Sequence, residues 1–342
     1  MNAFKSKKVY LIPAAACLLG AALLVGFYFL SSFSSHSDTQ YVYIDADDDA
    51  DSVYAKLSPI ATTHGMTGLR TLMRHCDYAE KIRTGRYAIK ADESVTTVYR
   101  HLRNGVQEPL KLTIPESRTM ERLAAALAKK LMLDSATIAQ ALCDQSFCNE
   151  YGYDTATIAC MFVPNTYEIY WNVSIEKLAQ RMQKEHDSFW NDERRSKAAT
   201  LGLSPEGVCT LASIIDEETA NNDEKPMIAG MYLNRIEQNM PLQADPTVKF
   251  ALKDFGARRI YQKMLTIDNP YNTYKYAGLP PGPIKIASVK GIDAVLNRVK
   301  HDYLYMCAKE DFSGTHNFAV TYKEHLQNAA KYTKALNERG IK

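Results

Sequence analysis

The sequence predicts an α+β protein with a single N-terminal transmembrane helix, a small strand-helix-helix-strand unit and a larger, mixed, helix-rich unit. Three observations predict this fold class. A long uncharged run lies near the N-terminus. Up to about residue 107, some segments alternate apolar and polar residues as strands do, and others repeat apolar residues at helical spacing. From there onward, helical spacing of apolar residues dominates. With 342 residues, the chain is long enough for two or three folded units.

The uncharged run, from Val9 to Leu30, has 22 residues, enough to cross a bilayer as a helix. Three lysines precede it: Lys5, Lys7 and Lys8. Because the next basic residue is Lys56, the positive-inside rule predicts that residues 1–8 are cytoplasmic and that everything after about Ser31 is outside, in the periplasm of a two-membrane cell. A cleaved signal peptide is the alternative. This alternative is disfavoured because the apolar run is longer than the hydrophobic region of a usual signal peptide, and no small-x-small cleavage site follows it.

Charge and cysteine content exclude some function classes. The chain has 41 basic and 39 acidic residues, a balance that gives no electrostatic footprint for nucleic acid. Cys17 lies in the predicted span. The six other cysteines fall outside it, where disulfides are permitted: Cys76, Cys143, Cys148, Cys160, Cys209 and Cys307. Cys143 and Cys148 are close enough in sequence to pair, but neither a Cys-x-x-Cys motif nor a matching histidine pair indicates zinc. Disulfides and buried thiols both remain open, and no metal is expected.

A polar linker, residues 31–40, separates the span from the small unit, residues 41–107. Four elements are predicted first in this unit: a strand from Tyr41 to Ile44, a helix from Asp51 to Leu57, a helix from Gly68 to Ile82 and a strand from Gly85 to Lys90. A helix from Ser94 to Asn104 extends it. The strand-helix-helix-strand order resembles a LysM-like module, a small fold associated with N-acetylglucosamine polymers. A packing unit without a ligand is the alternative.

The large unit is predicted to cover residues 108–342. It begins with a strand from Lys111 to Pro115 and a helix from Glu116 to Leu131, after which the pattern is mostly helical. A band rich in proline and tyrosine from Phe162 to Trp171 and a long loop from Asp268 to Ile284 interrupt the helices.

Glu218 is the leading candidate for chemistry. At about 100° per residue, four apolar side chains gather on one helix face: Val208, Leu211, Ile214 and Ile215. Glu218 falls in the middle of this face, while Asp216 and Glu217 are predicted to point well away from it. A carboxyl held against apolar groups loses hydration, which raises its pKa and suits it to act as a general acid.

Three further segments offer polar groups beside turns. They contribute Gln243, Asp245 and Thr247; Asn272 and Tyr274; and His316, followed by Glu324 and His325. Taken singly, each is compatible with a structural role, since an Asp-Pro pair commonly forms a turn and a single histidine commonly lies in a core.

Together these segments resemble the endolytic murein transglycosylase family, also called YceG-like. The matching blocks run in order: Leu211 to Ile215 with Glu218 and Thr219, Tyr232 to Arg235, Met240 to Val248, and Tyr271 to Ile284. The resemblance implies that the single span, the LysM-like unit and a catalytic region from residue 108 belong to one enzyme. It also implies that the glutamate directly before threonine, Glu218, is the catalytic acid.

Two departures from the family pattern matter. The usual Phe-Pro-Asp-Thr-Tyr becomes Val163 to Tyr167, with Asn165 in place of the carboxylate. The usual Glu-Lys before the catalytic residue becomes Asp216-Glu217, which adds negative charge and is expected to raise the pKa of Glu218. Asn165 and Tyr167 are predicted to bind substrate, together with Gln243, Asp245, Thr247, Asn272, Tyr274 and His316.

The resemblance implies a lytic transglycosylase that cleaves the bond from N-acetylmuramic acid to N-acetylglucosamine within peptidoglycan strands and leaves 1,6-anhydro ends, terminating nascent strands. Glycan strands, the inner membrane and cell-wall synthases are the implied partners. Neither cofactor nor metal is implied, and no P-loop, Gly-x-Gly-x-x-Gly or His-Glu-x-x-His motif is present. Two alternatives stay open: a peptidoglycan hydrolase using Glu218 with Asp245, and a non-catalytic wall-binding scaffold.

Overall fold

The computed structural model describes residues 3–257 and 260–340, with the side chains of the N-terminal helix described from Pro13 onward. The chain forms two compact units. The N-terminal unit comprises residues up to Lys111 together with 168–173, and the C-terminal unit comprises 112–167 and the residues from Ser174 onward. Six positions of the predicted terminal segment and catalytic region lie outside the described residues: 1–2, 258–259 and 341–342.

The N-terminal unit contains four helices and two strands among its described residues. They are α1 (Ala3–Val25), β1 (Gln40–Ile44), α2 (Ala50–Leu57), α3 (Thr63–His75), β2 (Gly85–Ile89) and α4 (Val95–Asn104). A π-helical turn (Gly26–Leu30) continues α1, and a 3-10 turn (Tyr78–Glu80) precedes β2.

The apolar helix is present where the sequence predicted one. Residues Pro13–Leu30 have a mean hydropathy of 2.0, and none of this stretch is buried. Its length and composition are those of a helix that crosses a membrane, and a signal sequence has the same features. Membrane anchoring and orientation therefore stay predictions.

The strand-helix-helix-strand order is present, with one boundary corrected. Strand β1 pairs with β2 in antiparallel fashion, from Gln40 opposite Ile89 to Ile44 opposite Gly85. The helix predicted from Gly68 to Ile82 instead spans Thr63–His75. The hydroxyl of Thr62 caps its start, and Asp77, in the left-handed region at φ 50°, ends the helical run. The LysM-like identity of this arrangement stays a prediction.

Residues 168–173 belong to the N-terminal unit although they lie far along the chain. The side-chain amide of Asn172 donates to the carbonyl of Thr84 at 2.9 Å, and the ring of Trp171 meets that of Tyr43 edge to face, with centroids 5.0 Å apart. These contacts hold the segment against the small sheet.

The C-terminal unit is rich in helices, as the sequence predicted. Its described helices are α5 (Met120–Ala128), α6 (Ser135–Cys143), α7 (Gln145–Glu150), α8 (Ile175–Phe189), α9 (Asp192–Thr200), α10 (Pro205–Glu218), α11 (Lys225–Glu237), α12 (Asp245–Ala251), α13 (Val289–Leu296) and α14 (Tyr322–Glu338). Two antiparallel strands, β5 (Tyr305–Ala308) and β6 (His316–Ala319), precede α14. Strands β3 (Leu110–Thr113) and β4 (Thr166–Ile169) pair, and the division between the units passes through both.

Helix α10 is the centre of the C-terminal unit. Ser204 caps its start, Pro205 occupies its first turn, and every residue from Val208 to Ile215 is buried. The expectation of a single apolar face was therefore incomplete, because α9, α11, α12 and α13 all pack around this helix. Even Ser213 is enclosed, and its hydroxyl donates to the carbonyl of Thr210 while accepting the N–H of Ile284.

A buried ion pair fixes the C-terminal end of α10. The side chain of Asp216 is only 2% exposed, and it meets the ammonium of Lys225, 7% exposed, at 2.7 Å. The backbone N–H and the hydroxyl of Ser288, which caps α13, donate to the same carboxylate at 2.7 and 2.8 Å. One carboxylate thus joins α10, α11 and α13. The side chain of Asp216 is thus almost fully enclosed, which the helical periodicity did not indicate.

We expect Lys225→Met to lower the free energy of unfolding by about 3 to 5 kcal/mol, because it leaves the Asp216 charge buried without a cation. Urea unfolding of the full chain in detergent measures this. The control is Lys334→Met, which breaks an exposed pair with Glu338 and should cost less than about 1 kcal/mol. Equal effects of the two variants would contradict the anchoring role of Asp216.

Candidate active site

Glu218 is the last residue of α10, and its carboxyl reaches the edge of a cleft. The next residue, Thr219, is extended, so the chain leaves the helix directly after Glu218. The hydroxyl of Tyr232 on α11 donates to Oε1 of Glu218 at 2.9 Å. Burial and the neighbouring carboxyl raise the pKa of Tyr232 well above its ordinary value, so the phenol keeps its proton and remains a donor.

The pKa of Glu218 is raised to about 7, and loss of hydration is the largest cause. The hydrogen bond from Tyr232 lowers the pKa, the charge of Asp245 raises it, and Lys249 lowers it. Glu217 raises it further but is the smallest of these influences. A carboxyl with this pKa is protonated in a substantial fraction of molecules at neutral pH, as a general acid requires.

The two acidic residues before Glu218 have cations of their own. Lys225 meets Asp216, as described above, and Arg118 binds Glu217 through two nitrogens, the shorter contact being 2.6 Å. Of this pair, Glu217 contributes to the raised pKa of Glu218, and its contribution is smaller than those of Tyr232, Asp245 and Lys249.

The cleft beside Glu218 has a volume of about 330 Å³. The ends of α10 and α11, the segment entering α12, strand β5 and the starts of β6 and α14 form its walls. Its lining residues are Glu218, Met231, Tyr232, Arg235, Leu242, Gln243, Asp245, Tyr274, Tyr305, Met306, Cys307, Ala308, His316, Tyr322 and His325.

Four of the predicted substrate-binding residues line this cleft with Glu218. Gln243 adopts the left-handed region at φ 53° and accepts a hydrogen bond from Arg235 at 3.3 Å. Asp245 accepts one from the hydroxyl of Tyr274 at 2.6 Å. Nδ1 of His316 lies 3.0 Å from the carboxylate of Glu224. The structure thus brings together residues that are up to 98 positions apart in sequence, from Glu218 to His316.

The other four predicted substrate-binding residues do not line the cleft. Thr247 is buried and bonds to the carbonyl of Ala244, and the amide of Asn272 donates to two loop carbonyls. Tyr167 is buried, with its hydroxyl on a backbone carbonyl. Asn165 is exposed, and its side-chain oxygen accepts the N–H of the next residue. These contacts support backbone, and the predicted substrate contacts of these four residues stay untested.

Sequence reasoning did not assign roles to Tyr232 and Arg235, although both fall in a matching block. They lie three positions apart on α11 and so share one helix face toward the cleft. The guanidinium of Arg235 donates to the carbonyls of Leu304, Pro241 and Leu242 at 2.6 to 3.0 Å. Arg235 therefore joins the residue before β5 to the segment before α12.

Metal ligation has no candidate in the described part of the chain: no group of three or more His, Cys, Asp or Glu side chains is placed to hold an ion. The seven cysteines, all within the described residues, are free thiols.

Comparison with known proteins places this site in a family. The model of the YceG-like family matches residues 42–331. An endolytic murein transglycosylase of Bacillus subtilis (strain 168) is 31% identical over 277 residues, which cover 76% of each chain. One of Streptococcus pneumoniae R6 is 26% identical over 287 residues, covering 74% of this chain and 51% of that protein. The chain thus spans about three quarters of the first relative and about half of the second.

A solved structure agrees with the sequence relatives. The crystal structure of a yceG-like protein from Listeria monocytogenes is 26% identical, with a TM-score of 0.54 over 85% of this chain and 99% of that one. The family match covers well over half of the chain, and it includes the whole cleft around Glu218. This chain belongs to the YceG-like family.

Proposed function

We propose that this chain is a membrane-anchored endolytic lytic transglycosylase, which cleaves the bond from N-acetylmuramic acid to N-acetylglucosamine inside peptidoglycan strands. One observation carries the proposal: Glu218 has a pKa near 7 at the edge of a cleft and receives a hydrogen bond from Tyr232. The relatives named above are endolytic murein transglycosylases, which supports the same substrate class.

The first step is proton donation to the leaving group. Tyr232 donates to Oε1 of Glu218, so Oε2 is the oxygen that carries the acidic proton. This proton passes to the glycosidic oxygen as the bond to C1 of the muramic acid breaks, giving an oxocarbenium-like sugar and a Glu218 carboxylate. The Tyr232 hydroxyl stabilises that carboxylate as it forms, because hydrogen bonds to a charged acceptor are stronger than those to a neutral one.

In the second step the same residue acts as a base. The Glu218 carboxylate takes the proton from the C6 hydroxyl of the muramic acid, and O6 closes on C1. This forms the 1,6-anhydro ring, consumes no water and returns Glu218 to its protonated form. A pKa near the working pH suits both halves of this cycle, since neither protonation state of Glu218 is strongly disfavoured.

A peptidoglycan hydrolase is the second candidate, because another carboxylate, that of Asp245, lines the same cleft. Ordinary glycosidases use two carboxylates, one as acid and the other as nucleophile or base. Asp245, however, already accepts a short hydrogen bond from Tyr274. We therefore assign Asp245, with Gln243 and Tyr274, to positioning the glycan and stabilising positive charge on the sugar.

The proposed setting is the outer face of the inner membrane. The apolar helix near the N-terminus would anchor the chain with its N-terminus in the cytoplasm, and the LysM-like unit and the cleft would lie in the periplasm. Strands would then be cut close to the membrane where synthases extend them, which would terminate their growth. Glycan strands, the membrane and cell-wall synthases are the corresponding partners.

Glu218→Gln is expected to lower the rate of glycan cleavage at least a thousandfold, because the amide can neither donate the acidic proton nor take one up. Mass spectrometry of glycan strands digested by the full chain measures both rate and product. Wild type should give 1,6-anhydro ends. Reducing ends would favour the hydrolase, and unchanged cleavage by the variant would favour a different catalytic group.

Tyr232→Phe is expected to move the alkaline limb of the kcat/KM profile upward by about one pH unit. The wild-type limb should lie near pH 7, where Glu218 loses its proton. Removing the hydrogen bond destabilises the carboxylate and raises its pKa, so the acid form persists to higher pH. The control is Tyr153→Phe, another buried tyrosine, which should leave the limb in place. A limb that stays near pH 7 in Tyr232→Phe would contradict the proposed contact.

Glu218→Gln is also expected to stabilise the fold at pH 8 by about 2 to 3 kcal/mol. The folded-state pKa is about 7 against an ordinary value of 4.5, so the folded chain binds the proton more tightly than the unfolded chain. Stability from this group is present below pH 4.5 and is lost as the pH rises through 7. Melting temperatures of both proteins at pH 5 and pH 8 measure the effect. A gap that does not widen at pH 8 would contradict the raised pKa.

A further inference from the structure

A carboxylate paired with an imidazole lies at the cleft, in addition to Glu218 and Tyr232. Glu224 precedes α11, its side chain makes no capping bond to that helix, and it is only 8% exposed. Instead, its Oε1 accepts the backbone N–H of His316 at 2.6 Å, and its Oε2 lies 3.0 Å from Nδ1 of the same residue. Both oxygens of the Glu224 carboxylate thus contact His316. This histidine is the first residue of β6 and lines the cleft.

This geometry determines which ring nitrogen of His316 carries the proton. An ionised carboxylate only accepts hydrogen bonds, so Nδ1 must be the donor. In the neutral ring Nε2 then has a free lone pair. The described part of the chain provides no hydrogen-bond partner for Nε2. The free acceptor therefore belongs to a side chain that forms part of the cleft wall.

The other histidine of the cleft differs in this respect. His325 stacks on Tyr305, with ring centroids 5.5 Å apart, and its Nδ1 is buried without a hydrogen-bond partner among the described residues. No carboxylate orients its ring. Fixed orientation is thus a property of His316, and it comes from Glu224.

We propose that Glu224 is a positioning residue that holds His316 with its proton on Nδ1, so that Nε2 accepts a hydrogen bond from a hydroxyl or acetamido N–H of the glycan. This inference rests on the proposed function and adds a specific contact to it. A sugar presents several such donors. The side-chain oxygens of Gln243 and Asp245 in the cleft each already accept a hydrogen bond, from Arg235 and Tyr274. His316 supplies the complementary acceptor.

Glu224→Gln tests the positioning role with little change in shape. The amide oxygen can still accept the backbone N–H of His316, but the amide nitrogen donates to Nδ1 and moves the ring proton to Nε2. An acceptor becomes a donor, and we expect kcat/KM to fall about ten- to a hundredfold. The matched control is Glu237→Gln, which removes an exposed carboxylate from the other end of α11 and should leave kcat/KM unchanged.

His316→Asn tests the same contact from the other side. Its amide nitrogen can still donate to Glu224, but no atom remains at the position of Nε2, so kcat/KM should fall to a similar extent. The double variant, Glu224→Gln with His316→Asn, should be no more than about threefold worse than His316→Asn, because Glu224 acts through His316. Multiplicative losses in the double variant would overturn the proposal.

The tautomer itself can be measured without turnover. ¹⁵N spectra of the histidine-labelled full chain in detergent should show Nδ1 protonated for His316 in wild type and Nε2 protonated in Glu224→Gln. Unchanged spectra, or wild-type kcat/KM in a Glu224→Gln protein with reversed spectra, would overturn the proposal. A fall in kcat/KM that matches a fall in melting temperature and vanishes on cooling would also overturn it.

Glycan affinity separates this inference from the proposed function. Binding of purified glycan strands is measured in the Glu218→Gln background, with and without Glu224→Gln. A tenfold or greater loss of affinity supports the acceptor role of His316, even if product analysis has ruled out 1,6-anhydro ends. Equal affinity in the two backgrounds would overturn the inference and leave the transglycosylase proposal standing.

Discussion

The buried charge of Asp216 is the constraint on which the geometry of the cleft depends. It lies two residues before Glu218, and its carboxylate joins the end of α10 to Lys225 at the start of α11 and to Ser288 at the start of α13. An enclosed carboxylate without these donors would be severely destabilising. Separating the three helix ends would therefore cost a large amount of folding free energy. Tyr232 lies on α11, so the contacts of Asp216 also fix the position of Glu218 relative to Tyr232.

Three consecutive carboxyl groups have different roles because they have different partners. Asp216 meets an ammonium, Glu217 meets the guanidinium of Arg118, and Glu218 receives only a neutral hydroxyl. The first two charges are offset by cations, whereas at the third the loss of hydration outweighs the hydrogen bond from Tyr232 and the charge of Lys249. Three adjacent acidic residues of similar chemistry thus form two structural ion pairs and one acid with a pKa near 7.

Helical periodicity was enough to select Glu218, to predict helices near α2, α4 and α5 and to indicate that the C-terminal unit is mostly helical, because these features depend on local order along the chain. It could not assign Asn272 or Thr247, since each bonds to backbone that only the folded loop brings near. It also missed the burial of Asp216, because a helix packed on all sides has no exposed face. The family resemblance identified the sequence blocks that contain the predicted site residues. It did not identify Glu224 as the partner of His316, because the two meet only where β6 lies beside the start of α11.

The replacement of a family carboxylate by Asn165 was the main reason to consider a non-catalytic scaffold. Asn165 lies outside the cleft, where its side-chain oxygen accepts the N–H of Thr166 and its backbone carbonyl accepts the N–H of Ile114. An asparagine oxygen accepts such a bond as an aspartate oxygen does, so the local turn is kept without the charge. Because no group that sets the pKa of Glu218 contacts this position, the substitution is no argument against catalysis.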